Sequence, residues 1–301
     1  MDGTRLDELK RLALGLWQAH GAEPPLEGLR MSCATAPSGP FHGVYKPSLC
    51  VVLQGAKVSR LGAQDFRYEA GQCLIASLEV PIRAEIVTAS AERPYLAFAL
   101  AIDPAQITDL LLAEPRPDGP AALPSAAMAV QDLGPDLPGP LARLLALAGR
   151  PRDIAVLGPM LRREIVWHLL NGPHGGALRQ IGLADSRMAR LGRAIAWIRE
   201  HFAATLSVPH LATLSGMSPA TFHRHFKAAT AMTPVQFQKS LRLQEARRLL
   251  LAEGSDVARV GFAIGYESPS QFSREYRRLF GRPPGRDGAL IRQGAGGGPG
   301  I

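Results

Sequence analysis

The sequence predicts an α+β chain of more than one domain: a β-rich sandwich or small barrel with flanking helices, followed by an all-α domain of seven helices with two helix-turn-helix units. Three observations predict it. Short apolar runs broken by turn residues fill the stretch from Pro47 to Asp103. Helical periodicity dominates from Asp153 onward. A nine-residue pattern, Ser-Pro-x-x-Phe-x-Arg-x-aromatic, occurs twice, at Ser218 and at Ser268, 50 residues apart. With 301 residues, the chain is long enough for two domains that each bury a core.

The strands are read first. Leu49–Gln54, Lys57–Leu61, Gln72–Ala76, Arg83–Val87 and Tyr95–Leu100 are short, and Gly55 and Gly62 break the first two. Asp103-Pro104 then opens a short helix. Residues 115–140, rich in Pro, Ala, Gly and Asp, read as a connecting loop. From Asp153 to Leu170 the apolar residues Ile154, Leu157, Leu161, Ile165, Val166 and Leu169 share one helical face, and Asn171-Gly172-Pro173 ends the helix. Residues 178–185 lack a strong pattern and read as a linker, which gives domains over 1–177 and 186–290 and a flexible tail over 291–301. The second domain begins with a helix from Ser186 to about Phe202, where Met188, Leu191, Ile195, Ile198 and Phe202 step 3, 4, 3, 4.

Each copy of the repeated pattern begins a helix. Serine at the N-cap accepts a bond from a free helix N–H, and proline at the first helical position has its φ already set. Phe222 and Phe226, like Phe272 and Tyr276, then lie four residues apart on one face, and Arg224 and Arg274 turn outward beside them. Before each copy stands a short helix that stops at a glycine: Ser207 to Leu214 before Gly216, and Asp256 to Ala263 before Gly265. The two units cover about 204–226 and 252–276. Between them Thr233-Pro234 opens a helix reaching about Leu251, with Val235, Phe237, Leu241, Leu243, Ala246, Leu249 and Leu250 on its apolar side.

Charge divides along the same line. Residues 1–184 carry a net −1, whereas residues 185–301 hold 17 Lys and Arg against 8 Asp and Glu, a net +9. A basic module beside a neutral one is the footprint of a chain whose C-terminal part meets a polyanion. The N-terminus mixes charge signs and no window of about 18 apolar residues occurs, so neither a signal peptide nor a membrane span is expected and the cytoplasm is the expected compartment. Cys33, Cys50 and Cys73 are too few for a disulfide framework, and Cys50 and Cys73, in strands, are expected to act as small apolar residues.

Residues from about 186 to 290 resemble the DNA-binding domain of the AraC/XylS family. The resemblance covers both helix-turn-helix units, including Gly265-Tyr266-Glu267-Ser268-Pro269-Ser270-Gln271-Phe272-Ser273-Arg274-Glu275-Tyr276 and Phe280-Gly281-Arg282-Pro283-Pro284. The N-terminal part is similar to the AraC-type regulator N-terminal domain through Pro47-Ser48-Leu49-Cys50-Val51-Val52-Leu53-Gln54-Gly55 and Arg163-Glu164-Ile165. One departure stands near the end, where Asp287-Gly288 occupies the place of the family's Tyr-Arg. The resemblance implies a sequence-specific regulator of transcription, an activator, that binds double-stranded promoter DNA and meets RNA polymerase. It implies control by a small-molecule effector or by homodimerisation, through a cupin-like N-terminal domain that effects no catalysis.

Carried over by motif, the residues facing base edges are Ala220, Thr221, His223 and Arg224 in the first unit, and Ser270, Gln271, Ser273 and Arg274 in the second. Arginine bonds guanine O6 and N7 together, and glutamine pairs with adenine N6 and N7, so Arg224 and Gln271 are expected to carry most of the specificity. Lys227, Arg277, Arg278 and Arg282 lie farther along and are expected on phosphates. The competing class is an enzyme on a metal-binding barrel, which needs two or three histidines and a carboxylate. Residues 1–160 contain only His20 and His42, and His168 and His174 follow in helical sequence, so no metal or other cofactor is expected.

Overall fold

The computed structural model describes residues 3–113, 126–173, 175–183, 186–251 and 256–290. The chain forms two compact units that divide between Arg190 and Leu191.

The first unit opens with a helix α1 (Gly3–His20), then strands β1 (Leu29–Ala34), β2 (Phe41–Tyr45), β3 (Ser48–Gln54), β4 (Ala56–Leu61), β5 (Gln64–Glu69), β6 (Gln72–Ala76), β7 (Val80–Thr88) and β8 (Tyr95–Ala101). After α2 (Pro104–Ala113) come β9 (Met128–Asp132), α3 (Pro138–Ala146), α4 (Pro151–Asn171) and α5 (Gly175–Gly182). Two antiparallel sheets result, with strand orders β1-β8-β3-β6-β9 and β2-β7-β4-β5. Every residue of β3, a central strand, is buried, and between Ser48 and Gln54 it reads as an unbroken apolar run, Leu49–Leu53.

The helices bury a leucine-rich layer against the first sheet. Leu9 and Ala13 of α1, Ile107 of α2, Leu141 of α3 and Ile165 of α4 join Leu49, Val51, Leu96 and Phe98 in one cluster. Strand alternation therefore turns Arg30 and Ser32 of β1, Cys50 of β3, and Tyr95, Ala97 and Ala99 of β8 to the opposite face.

Two expectations are corrected. Within 115–140, residues 115–125 lie outside the described residues, but Met128–Asp132 forms β9 on the edge of β6, with Cys73 opposite Gln131, and Pro138 starts α3. The Pro- and Gly-rich flanks hide an apolar run of only Met128-Ala129-Val130. Residues 178–182, read as the start of a linker, are helical: α5 packs on α2 and α4, Leu178 is fully buried, and Thr108 Oγ1 donates to the Gly182 carbonyl at 2.8 Å. A helix this short offers periodicity too few points to register. The tail over 291–301 lies outside the described residues.

Among the described residues the rest is helical: α6 (Arg187–Glu200), α7 (Val208–Leu214), α8 (Pro219–Thr230), α9 (Pro234–Leu249), α10 (Val257–Ala263), α11 (Pro269–Phe280) and α12 (Pro284–Leu290). α7 packs on α8, α10 packs on α11, and α9 touches α8, α10 and α11. No helix among the described residues is long and apolar enough to cross a membrane.

Candidate nucleic-acid interface

Both helix-turn-helix units are built by the same local chemistry. Ser218 and Ser268 sit at the N-caps of α8 and α11 with extended backbone, and their hydroxyls accept from the N–H of Thr221 and Gln271 at 3.3 and 3.4 Å. Pro219 and Pro269 follow at the first helical positions. Ser207 caps α7 through the His210 N–H, and Asp256 caps α10 through the Ala258 N–H. Gly216 and Gly265 close the turns at φ of 58° and 86°. At Gly265 a Cβ would stand 2.1 Å from the Ala203 carbonyl oxygen, so only glycine fits.

The aromatic pairs of the repeat anchor each helix. Phe222 and Phe226 pack 5.4 Å apart between ring centres, and Phe226 meets Phe237 of α9 edge-on at 5.4 Å. In the second unit Phe272 lies between Tyr266 and Tyr276 at 5.5 and 5.6 Å. With these four aromatics inward, helical geometry turns the sequence-predicted residues outward. Ala220, His223, Arg224 and Lys227 fall at i, i+3, i+4 and i+7 along α8, and all are exposed. Ser270, Arg274 and Arg277 repeat that stripe on α11, with Ser273 half-buried within it. Gln271 and Arg278 flank it and are exposed, and Arg282 is exposed beyond Gly281, whose φ of 78° ends α11. Thr221 is half-buried, and Ser218 donates a second bond to its hydroxyl at 2.9 Å.

Sequence reasoning missed the groups that hold these helices in place. Glu275 of α11 accepts from Lys239 of α9 at 2.8 Å and from the Tyr266 hydroxyl at 2.7 Å, and Gln271 Nε2 approaches the same carboxylate at 3.4 Å. Burial raises the Glu275 pKa, but the bonds from Lys239, Tyr266 and Gln271 outweigh it and leave the carboxyl below its ordinary value. Arg242 of α9 donates to the carbonyls of Phe202, Ala203 and Ala204 after α6, and to that of Gly265 in the second turn, at 2.6 to 3.0 Å. One guanidinium thus ties the segment that follows α6 to the turn of the second unit. No signal in a single sequence separates this arginine from the solvated ones around it.

Asp287, at the departure from the family pattern, is 4% exposed and accepts from Tyr276 Oη at 2.7 Å and Arg247 Nε at 2.9 Å. It fastens α12 to α11 and α9. Val235, expected on the apolar side of α9, is instead 53% exposed at its first turn.

In the first unit, the described residues contain no group of three or more His, Cys, Asp and Glu able to hold a metal. Burial raises the pKa of all three thiols, that of Cys73 to about 12.

Two capped helices on one chain, each presenting an exposed polar and basic stripe, define a double helix-turn-helix protein of the kind that docks into DNA grooves. The profile of a helix-turn-helix domain matches residues 211–287, and that of the AraC-type transcriptional regulator N-terminus matches residues 25–177, half of the chain. The chain belongs to the AraC-type transcriptional regulators. It is similar to the HTH-type transcriptional activator RhaS of Escherichia fergusonii, with 37% identity over 107 residues, 34% of this chain and 38% of RhaS. It also resembles the MmsAB operon regulatory protein of Pseudomonas aeruginosa, with 37% identity over 102 residues, 34% of this chain and 33% of that protein. The match thus spans less than two fifths of either relative. Among solved structures, ToxT of Vibrio cholerae O395 aligns over 88% of this chain and 98% of its own at a TM-score of 0.53 and 8% identity, a likeness of fold.

Proposed function

We propose that the chain is a sequence-specific regulator that binds double-stranded promoter DNA through α8 and α11 and activates transcription there, in contact with RNA polymerase. The observation that supports this best is the repetition of one exposed stripe at a 50-residue interval on two equivalently capped helices joined by α9. Sixteen residues of α9 span about 24 Å, a length suited to placing two recognition helices in successive major grooves about 34 Å apart. Ala220, Thr221, His223, Arg224, Ser270, Gln271, Ser273 and Arg274 read base edges in this proposal, with Arg224 and Gln271 foremost. Lys227, Arg277, Arg278 and Arg282 neutralise phosphates. The N-terminal unit controls the outcome by binding a small molecule or a second copy of the chain, and the protein works in the cytoplasm, on the nucleoid.

The test is selection of genomic fragments by the full-length protein at several salt concentrations, against Arg224→Ala/Gln271→Ala. A two-part site with about one helical turn between its halves, lost in the double variant, is the expected result. Uniform binding that only follows salt would defeat it.

A further inference from the structure

α11 places beside Gln271 a residue that has no counterpart on α8. Glu275 stands one helical turn after Gln271, where the corresponding pair on α8 is Thr221 and His225. Its side chain is only 17% exposed, whereas Gln271 lies open. Both of its oxygens are held from outside α11. Oε1 accepts from Lys239 Nζ of α9 at 2.8 Å, and Oε2 accepts from the hydroxyl of Tyr266, between α10 and α11, at 2.7 Å.

This fixed carboxylate constrains the amide next to it. Gln271 Nε2 lies 3.4 Å from Oε1, the same oxygen that Lys239 holds. Burial alone raises the Glu275 pKa, but the bonds from Lys239, Tyr266 and Gln271 keep it below the ordinary carboxyl value. At neutral pH the group is therefore a carboxylate, which accepts hydrogen bonds and offers none. Only the NH₂ end of the Gln271 amide can face it, which leaves one N–H and the carbonyl oxygen for a base. Adenine and guanine answer that pair differently. In the major groove adenine shows one acceptor, N7, and one donor, the N6 amino group, while guanine shows two acceptors, N7 and O6. One N–H and one carbonyl satisfy adenine. Guanine needs two N–H groups, and Glu275 already engages one of them.

We propose that Glu275 is the positioning residue that sets the base choice of α11: by holding the Gln271 amide nitrogen it makes that side chain accept adenine and refuse guanine. This rests on the DNA-binding function proposed above and names what one of its readers selects. The choice belongs to the second unit alone, because Thr221 and His225 offer neither an amide nor a carboxylate at the matching places.

The test reads base preference in the full-length protein, by fluorescence anisotropy on the two-part site that the parent enriches and on duplexes changed at one base pair. Gln271→Ala locates the base pair by relaxing the preference there. At that pair the parent is expected to favour adenine over guanine by at least about tenfold, and Glu275→Gln is expected to bring the ratio within about threefold. Glutamine at 275 keeps the side-chain length and still accepts from Tyr266 or Lys239, but it offers Gln271 a donor as well as an acceptor, so the direction of the amide is lost. Any uniform gain in affinity from the lost negative charge cancels in the ratio. In the Gln271→Ala background Glu275→Gln is expected to change nothing at that pair. Tyr266→Phe, which frees Oε2 alone, is expected to lower the melting temperature and keep the ratio, an outcome that a merely structural role for Glu275 does not give. Preference of the parent for any base but adenine, an unchanged ratio in Glu275→Gln, the same change with alanine at 271, or an equal fall in Tyr266→Phe overturns the assignment and leaves the regulator standing. Absence of any enriched site in the parent removes both.

Discussion

At the scale of the residue, Lys57, buried in β4, makes the sharpest prediction. Its folded pKa lies near 8, below the ordinary lysine value of 10.5, so between these limits the unfolded chain binds the extra proton. The cost of the buried charge is complete below pH 8 and fades as pH rises from there toward 10.5. Lys57→Met is therefore expected to raise unfolding free energy by about 3 kcal/mol at pH 7, and by clearly less at pH 9.5, in urea titrations of both proteins. Asp287 makes the opposite case. Replacing it by alanine leaves Arg247 and Tyr276 without their acceptor in a buried setting, and a loss of about 3 to 5 kcal/mol is expected in the same titration. The three thiols, held protonated by burial, are expected to react with iodoacetamide at pH 7.5 far more slowly in the native protein than in urea.

At the scale of the element, the caps decide whether α8 and α11 start where their stripes require. Ser268→Ala frees the Gln271 N–H and is expected to cost about 1 kcal/mol, seen by hydrogen exchange as faster loss of protection in the first turn of α11 than in α8. Gly265→Ala is expected to cost more, because the new methyl group meets the Ala203 carbonyl and the left-handed backbone together. Elements differ in how far the sequence displayed them. α8 and α11 were legible because cap, proline and aromatic spacing all point the same way. The strands β3, β4, β6, β7 and β8 were legible as apolar runs between turns. β9 and α5 were not: each is short, and each is fixed by pairing or packing partners distant in sequence, β6 for the one and α2 and α4 for the other. The bonds of Arg242 and Glu275 were invisible for the same reason. The partners of Arg242 lie 23 to 40 residues away, Lys239 and Tyr266 lie 36 and 9 residues from Glu275, and an arginine or glutamate on a polar helix looks alike whether solvated or bonded within the fold.

At the scale of the whole molecule, charge is partitioned. The net +9 of residues 185–301 beside the near-neutral remainder predicts that DNA affinity falls steeply with salt, and that each residue proposed to hold a phosphate contributes its own share. Arg277→Ala is expected to weaken binding on all sequences alike and to flatten the slope of log affinity against log salt by about 0.9, whereas Arg224→Ala is expected to change which sequences are preferred. Fluorescence anisotropy on specific and scrambled duplexes separates the two.

The two recognition helices share a scaffold and a spacing, yet they are not copies. α8 offers Ala-Thr-x-His-Arg where α11 offers Ser-Gln-x-Ser-Arg, and both belong to one chain. A symmetric dimer bound to a palindrome reads the same in either direction. Under the proposed function one chain with two unlike readers does not, so the site proposed for it has a head and a tail, and inverting that site is expected to exchange the half that α8 meets for the half that α11 meets.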